Sequence, residues 1–90
     1  MPERDTNGPK RAAAVALRYD SSLPAPLVLA SLRGRAAERG VELARTHGVP
    51  VVRDEALSAA LLPLDVGSLV PPEYWEIVAK VFVMIRKVER

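Results

Sequence analysis

Residues 12–32 read AAAVALRYDSSLPAPLVLASL, and the sheet of this protein is predicted from them. It holds two short apolar runs, Ala12–Tyr19 and Leu27–Leu32, separated by a polar turn that contains Pro24 and Pro26. The length and flanks of the first run predict a buried strand, although its four alanines would suit a short helix equally well. The prolines favour an extended backbone, so we interpret the second run as a second strand.

An amphipathic helix is predicted after the second strand, beginning at Gly34. Its small and apolar positions follow the i, i+3, i+4, i+7 spacing of a helix: Ala37, Gly40, Val41 and Ala44. Gly48 supplies a left-handed cap at its end, and His47 is predicted to have a surface or capping role. A glycine inside a helix costs about 1 kcal/mol relative to alanine, so we expect Gly40 to make a close packing contact.

Two further elements are predicted before the last helix. Residues 49–53 form a short run that contains three β-branched valines. We predict a third strand there, parallel to the second and reached through a helical crossover. Asp54 is placed to cap a short helix that Pro63 ends. The inner face of that helix is expected to comprise Leu57, Ala60 and Leu61.

The longest helix is predicted to begin at Pro71-Pro72, because proline is tolerated in the first turn. Seven residues at helical spacing form its apolar stripe: Tyr74, Ile77, Val78, Val81, Phe82, Ile85 and Val88. Val83 falls by the same spacing among charged residues, so we expect one exposed valine on this helix.

Together these elements predict an α/β fold, a small mixed sheet of about three to four strands packed with three to four helices. The chain has 90 residues, which suits one domain. We assign that domain to residues 12–90. Residues 1–11 combine proline, glycine, asparagine and charge without periodicity, and we interpret them as a flexible N-terminal arm.

Composition argues against most catalytic and ligand-binding chemistries. The chain has no cysteine, which excludes thiolate catalysis, thiolate metal sites and disulfides. Its single histidine has no nucleophile at a suggestive spacing, and neither a G-x-S-x-G elbow nor a phosphate loop is present. We therefore predict no enzymatic activity, no cofactor and no metal. No apolar run approaches the ~20 residues that cross a bilayer and no signal peptide is evident, so a cytoplasmic protein is expected.

Basic residues offer an alternative function. Four arginines lie in or beside the first helix: Arg33, Arg35, Arg39 and Arg45. A small nucleic-acid-binding domain would use such a cluster. The net charge is only +2, however, and Glu38 and Glu42 alternate with the arginines at spacings that favour local ion pairs. A solvated helix face is the favoured interpretation, so no nucleic acid is expected as a partner.

Three stretches carry a family resemblance. They are Ala14-Val15-Ala16-Leu17-Arg18-Tyr19-Asp20, then Ala25-Pro26-Leu27-Val28-Leu29-Ala30, then the run from Ala44 through Gly48-Val49-Pro50-Val51-Val52 to Leu57 and Ala60-Leu61, which continues in Val66-Gly67 and Val70-Pro71. In this order and spacing they resemble the cytoplasmic domain of the FlhB/YscU family from Ala13 onward. The resemblance implies a module at the mouth of the type III export gate, which docks export substrates and gate components and sets the substrate class.

The same resemblance implies a docking patch, which we define as Ala25, Pro26, Ala79 and Phe82. Phe82 stands where the family usually has leucine, and because it also lies on the apolar stripe, plain core packing is an equal interpretation for it. The expected partners are the cytoplasmic domains of the flagellar export gate and rod-type or hook-type export substrates. The protein is expected in the cytoplasm, recruited to the inner-membrane export gate and without membrane insertion of its own.

One departure from the family concerns self-cleavage. Family members cleave themselves at Asn-Pro-Thr-His just before the first matched strand, whereas this chain has Pro9-Lys10-Arg11-Ala12 there. Cleavage at Asn-Pro depends on proline lacking an N–H, so that the asparagine side chain attacks its own carbonyl. Asn7-Gly8 cannot replace it, because the glycine N–H attacks the side chain instead and deamidation follows. We therefore expect a free-standing, uncleaved adaptor without the family's transmembrane region.

Overall fold

The computed structural model describes residues 12–89, with side chains from residue 12 to residue 85. The predicted N-terminal arm, residues 1–11, lies outside these described residues. Among the described helices, none has both the length and the hydropathy that crossing a bilayer requires. An α/β arrangement is confirmed, in the order strand, strand, helix, helix, helix.

The two predicted strands form an antiparallel hairpin, so the helical alternative for the alanine-rich run is wrong. Strand β1 spans Ala13–Arg18 and strand β2 spans Leu27–Arg33. The ladder breaks its regular register once, between Ala16 and Leu17. Ala16 pairs with Ala30 and Leu17 with Val28, so Leu29 is the extra residue of a β-bulge in β2.

The far edge of β2 is covered by the segment before the last helix. Leu27 and Leu69 form an antiparallel bridge. The Val28 N–H donates to the Ser68 carbonyl at 2.9 Å, and the Val70 N–H donates to the Pro26 carbonyl at 2.8 Å. This edge of the sheet is therefore held by main-chain hydrogen bonds although residues 66–70 form no third strand.

The sheet has fewer strands than the three to four predicted, and residues 49–53 do not join it. The sheet formed by the described residues has two strands, and this segment has no regular secondary structure. Pro50 has no N–H to donate, Val49 is 53% exposed, and Val51 and Val52 are only half-buried. The predicted third strand is therefore wrong, since the run neither pairs nor buries enough apolar surface to hold one.

The first helix, α1, spans Gly34–Thr46 and packs on the face of the sheet that carries Leu32. A Cβ added to Gly40 would come within 2.6 Å of Leu32 Cδ1, which confirms the predicted close contact. At the other end, Gly48 has φ = 74°, the left-handed conformation expected of a helix cap. His47 is exposed and its Nδ1 donates to the Leu43 carbonyl at 2.9 Å, so the predicted capping role is confirmed.

The second and third helices close the opposite face. Helix α2 spans Glu55–Leu61, and Asp54 Oδ1 accepts from the Leu57 N–H at 3.0 Å, as predicted for its cap. A short 3-10 helix, Pro72–Tyr74, leads into helix α3, Trp75–Glu89. Proline thus opens the last helix at a position where its missing N–H costs no intrahelical hydrogen bond.

The buried core lies between β2, α2 and α3. Its cluster consists of Val28, Leu61, Val70 and Val78, each at most 2% exposed. Residues opposite each other in an antiparallel pair share a face, so Leu17 points to the same side as Val28. Ala14 and Leu32 share the other face, against α1. The hairpin is therefore packed between α1 on one side and α2 with α3 on the other.

The predicted stripe of α3 is correct except at Ile77, among the residues whose side chains are described. Val78 is buried and Val81, Phe82 and Ile85 are half-buried, whereas Ile77 is 48% exposed. The sheet is too narrow to cover the whole apolar arc of the helix, so its margin stays in solvent. Val83 is 55% exposed, as expected.

Candidate functional site

The turn that leads to the docking patch is shaped by Asp20. Its Oδ1 accepts from the Ser22 N–H at 2.9 Å and also from the Ser22 hydroxyl, while Arg18 donates to Oδ2 at 3.1 Å. The Leu23 N–H donates to the Asp20 carbonyl at 3.0 Å. These bonds define an Asx turn, which fixes how the chain leaves β1 and returns toward Ala25. The hydrogen bonds from Ser22, followed by the Arg18 charge, lower the pKa of Asp20 below its usual 3.8.

A pH-dependent loss of stability is expected from this turn. Because the pKa of Asp20 is lowered in the folded state, its carboxylate adds stability above pH 3.8 that is lost as pH falls through the folded value. We predict that Asp20→Asn lowers the urea midpoint at pH 7, and that this difference shrinks below pH 3.8. Urea titrations of both proteins at pH 7 and pH 2.5 measure it; an equal difference at both values would contradict the role of the charge.

Ala25 and Pro26 lie just before β2 and are buried, Ala25 to 4% exposure. Two hydrogen bonds hold this segment against the residues that lead into α3. The Pro26 carbonyl accepts from the Val70 N–H at 2.8 Å, and the Val70 carbonyl accepts from Trp75 Nε1 at 2.7 Å. The Ala-Pro pair is thus tied through Val70 to the first residue of α3.

Ala79 and Phe82 lie on α3, one turn apart. Ala79 is exposed, whereas Phe82 is half-buried and packs against the core cluster that contains Val28 and Val78. The Phe82 ring also meets the ring of Tyr19, with a centroid distance of 5.9 Å and an interplanar angle of 47°. This tilted contact is within the favourable range for aromatic pairs.

Contacts of Phe82 and Pro26 lead to two further residues, Tyr19 and Trp75, which the sequence did not reveal. Phe82 packs against the core cluster that contains Val28, and Trp75 Nε1 donates to the carbonyl of Val70, whose N–H donates to the Pro26 carbonyl. Trp75 is 44% exposed and Tyr19 is 51% exposed. Trp75, Ala79 and Phe82 follow i, i+4, i+7 spacing and share one side of α3. The scarcity of aromatic residues, 4% of the chain, was the one signal that could have singled out Tyr19 and Trp75.

The arginine surface of α1 has mixed charge. An open, shallow depression there is lined by Arg35, Glu38, Arg39 and Glu42. The predicted ion pairs between them are absent: among the side chains of residues 12–85, only Arg18 and Asp20 come within ion-pair distance. Exposed charges at helical spacing gain little from pairing, so solvation prevails. Two carboxylates among the arginines disfavour binding of a phosphate backbone.

Comparison with known proteins identifies the family. The sequence model of the FlhB HrpN YscU SpaS Family matches residues 9–85. The chain belongs to this family. The match includes all four residues of the docking patch as well as Tyr19 and Trp75.

Relatives of known sequence agree with membership of the FlhB HrpN YscU SpaS Family. The chain is 37% identical over 78 residues to the flagellar biosynthetic protein FlhB of Aquifex aeolicus, an alignment that covers 82% of this chain and 22% of that protein. It is 35% identical over 77 residues to the uncharacterized protein YlqH of Bacillus subtilis, covering 84% of this chain and 83% of YlqH. The chain therefore spans about a fifth of the length of FlhB and most of YlqH.

Solved structures show that the fold is that of the family's C-terminal domain. The crystal structure of the PscU C-terminal domain matches with a TM-score of 0.79 and 28% sequence identity, covering 82% of this chain and 96% of that one. The hairpin and helices described above thus share the architecture of the PscU C-terminal domain.

Proposed function

We propose that this protein is a non-enzymatic adaptor of the flagellar type III protein export apparatus. It binds export substrates of the rod or hook type, or the cytoplasmic domains of the export gate, through the docking patch Ala25, Pro26, Ala79 and Phe82. In this proposal it works in the cytoplasm and is recruited to the inner-membrane export gate. Membership of the FlhB HrpN YscU SpaS Family supports an export-related role.

The observation that carries the proposal is the position of Ala79 between two partly exposed aromatic side chains. Trp75 precedes it by one turn, and Phe82, whose ring makes a tilted contact with Tyr19, follows it. A small side chain between larger ones leaves room on the helix surface for an apolar side chain of a partner. Amphipathic aromatic side chains are the residues that most often supply binding energy at protein interfaces.

Ala25 and Pro26 have a shaping role in this proposal. Their side chains are buried, so a partner gains little direct contact area from them. They set the path of the chain from the Asp20 turn into β2, and through the hydrogen bond to Val70 they hold the start of α3 in place. Ala79, Tyr19 and Trp75 then supply the accessible surface. Substitutions that test binding without disturbing the fold therefore belong at Ala79 rather than at Pro26.

The chemistry of the surface defines the expected partner. Neutral, mostly apolar side chains fit a short apolar segment, and the small area implies weak binding, with a dissociation constant of about 10–100 µM. Calorimetric titration of the purified protein with a hook-type subunit, and separately with a gate cytoplasmic domain, tests this. Saturable binding to either one is expected; no binding to any export component near 100 µM would exclude the adaptor.

The protein is also expected to stay intact, because Pro9-Lys10-Arg11-Ala12 stands where the family cleaves itself. We predict that its mass of 9.8 kDa is unchanged by prolonged incubation at pH 8 and 37 °C, apart from the small increase caused by deamidation at Asn7. Intact-protein mass spectrometry before and after incubation measures this. A pair of fragments that separate at residues 7–12 would show that cleavage does not need the Asn-Pro-Thr-His motif.

A further inference from the structure

The outer edge of β1 has no strand partner among residues 12–89. The opposite edge of the sheet, on β2, is covered by residues 66–70. The Gly34 N–H donates to the Ala12 carbonyl at 2.8 Å, which makes Ala12 and Gly34 a hydrogen-bonded pair. Hydrogen-bonded and non-bonded pairs alternate along an antiparallel ladder, so Ala14 and Ala16 also bond to β2. Ala13, Val15 and Leu17 therefore direct their N–H and C=O groups away from β2.

Most of this edge lacks the features by which proteins protect such edges. Residues 12–17 contain no charge and no proline, the charged Arg18 lies at the end of β1, and the bulge of the sheet lies on β2 rather than on β1. Ala13, Ala14 and Ala16 of β1 are among these residues, and their small side chains let another strand approach closely. Two-stranded sheets are marginal by themselves, so a further strand would also stabilise the fold. Apart from water, another extended main chain is the partner that can bond to every N–H and C=O group of such an edge.

We propose that a second copy of this chain pairs with β1, strand to strand, and that the two hairpins form one continuous four-stranded antiparallel sheet. The β1 sequence is self-complementary about a two-fold axis at Val15. Val15 then lies opposite its own counterpart, and Ala13 lies opposite Leu17 of the second copy, which brings the outward-directed groups of both strands together. Arg18 lies opposite Ala12 of the second copy, so the two arginines stand at opposite ends and do not repel each other.

The size of this contact sets the strength of the dimer. A pair of six-residue strands buries less than the ~800 Å² per partner of a standard protein interface. We therefore expect a reversible dimer with a dissociation constant of about 100 µM, monomeric at low concentration. Because main-chain hydrogen bonds rather than a general apolar contact hold the two strands together, the loss of one outward N–H should weaken the dimer.

Ala13→Pro tests this directly. The Ala13 N–H points away from β2, and proline is tolerated at the first residue of a strand, so the substitution removes no hydrogen bond of the hairpin. By symmetry it removes two hydrogen bonds of the dimer, which is expected to raise the dissociation constant at least ~tenfold. Ala13→Thr is the matched control, because it keeps the N–H and suits a strand; its constant should stay within about threefold of the native value.

Sedimentation equilibrium of the full chain at increasing concentration, up to about 1 mM, provides the readout. The apparent mass should rise from 9.8 kDa toward twice that value for the native protein and for Ala13→Thr. A protein that stays monomeric throughout, or a dimer unaffected by Ala13→Pro, overturns the proposal. Circular dichroism confirms that each variant is folded.

Amide hydrogen exchange keeps the test valid even if Ala13→Pro destabilises the hairpin. In the native protein, the Val15 amide should gain protection with increasing concentration, whereas the Ala14 amide, which bonds to β2, should be protected throughout. Removal of residues 2–11 should leave this behaviour unchanged. The contrary result is a Val15 amide that is protected at every concentration and loses its protection when residues 2–11 are removed. It would mean that the chain's own N-terminal residues pair with the edge of β1, and it would also overturn the proposal.

Discussion

Val78→Asp is expected to abolish folding. Val78 is 1% exposed and lies in the cluster with Val28, Leu61 and Val70, where no described residue could pair with a buried carboxylate. Burying an unpaired charge costs several kcal/mol or more, which is comparable with the ~5–15 kcal/mol that stabilises a whole domain. Circular dichroism and urea titration should show an unfolded chain at pH 7.

Ile77→Asp is the control for this prediction. Ile77 is the neighbouring residue on the same helix but is 48% exposed, so its aspartate keeps its hydration, and the expected change in the free energy of unfolding is about 0.5 kcal/mol or less. If Ile77→Asp unfolded the protein and Val78→Asp did not, α3 would be rotated about its axis from the orientation described, and the docking patch would be assigned to the wrong side of the helix.

Ala79→Asp is expected to weaken binding of a hook-type subunit or a gate cytoplasmic domain about thirtyfold while the fold stays intact. Ala79 is exposed, so the substitution does not disturb the core. In the complex, however, its carboxylate would lie in an apolar contact between Trp75 and Phe82 without a partner. Titration calorimetry of native and variant protein measures the difference, and the urea midpoint checks the fold.

Ile77→Asp again supplies the control. It adds the same charge two residues away, about 160° around the helix from Ala79, so long-range electrostatic effects are matched while the docking patch is untouched. Its affinity should stay within about threefold of the native value. Equal losses in both variants would assign the effect to charge in general and would remove the docking patch from the proposal.

Local features of the fold were predictable because their causes lie within a few residues. The two strands, though not their antiparallel pairing, follow from two apolar runs around a proline-containing turn, and the caps at Asp54 and Gly48 follow from side-chain and backbone chemistry at helix ends. The close contact at Gly40 was inferred from its cost within a helix. The third strand at residues 49–53 failed because a strand needs a partner, and β-branched composition alone supplies none.

The surroundings of the proposed docking patch were predictable only in part. Family resemblance indicated Ala25, Pro26, Ala79 and Phe82, but not that the first two are buried. Tyr19 and Trp75 were missed because their roles depend on contacts with Phe82 and with the Val70 carbonyl. Helical spacing gave the apolar stripe of α3 correctly, but the width of the surface that covers it decides that Ile77 stays exposed.

We propose that a partner from the export apparatus binds the apolar patch around Ala79 rather than the arginine surface of α1. Nuclear magnetic resonance titration of ¹⁵N-labelled protein with an unlabelled hook-type subunit tests it most directly. We expect the largest saturable shifts at the amides of Tyr19, Ala25, Ala79 and Phe82. Shifts concentrated at Arg35 and Arg39, or no shifts at all, would contradict it.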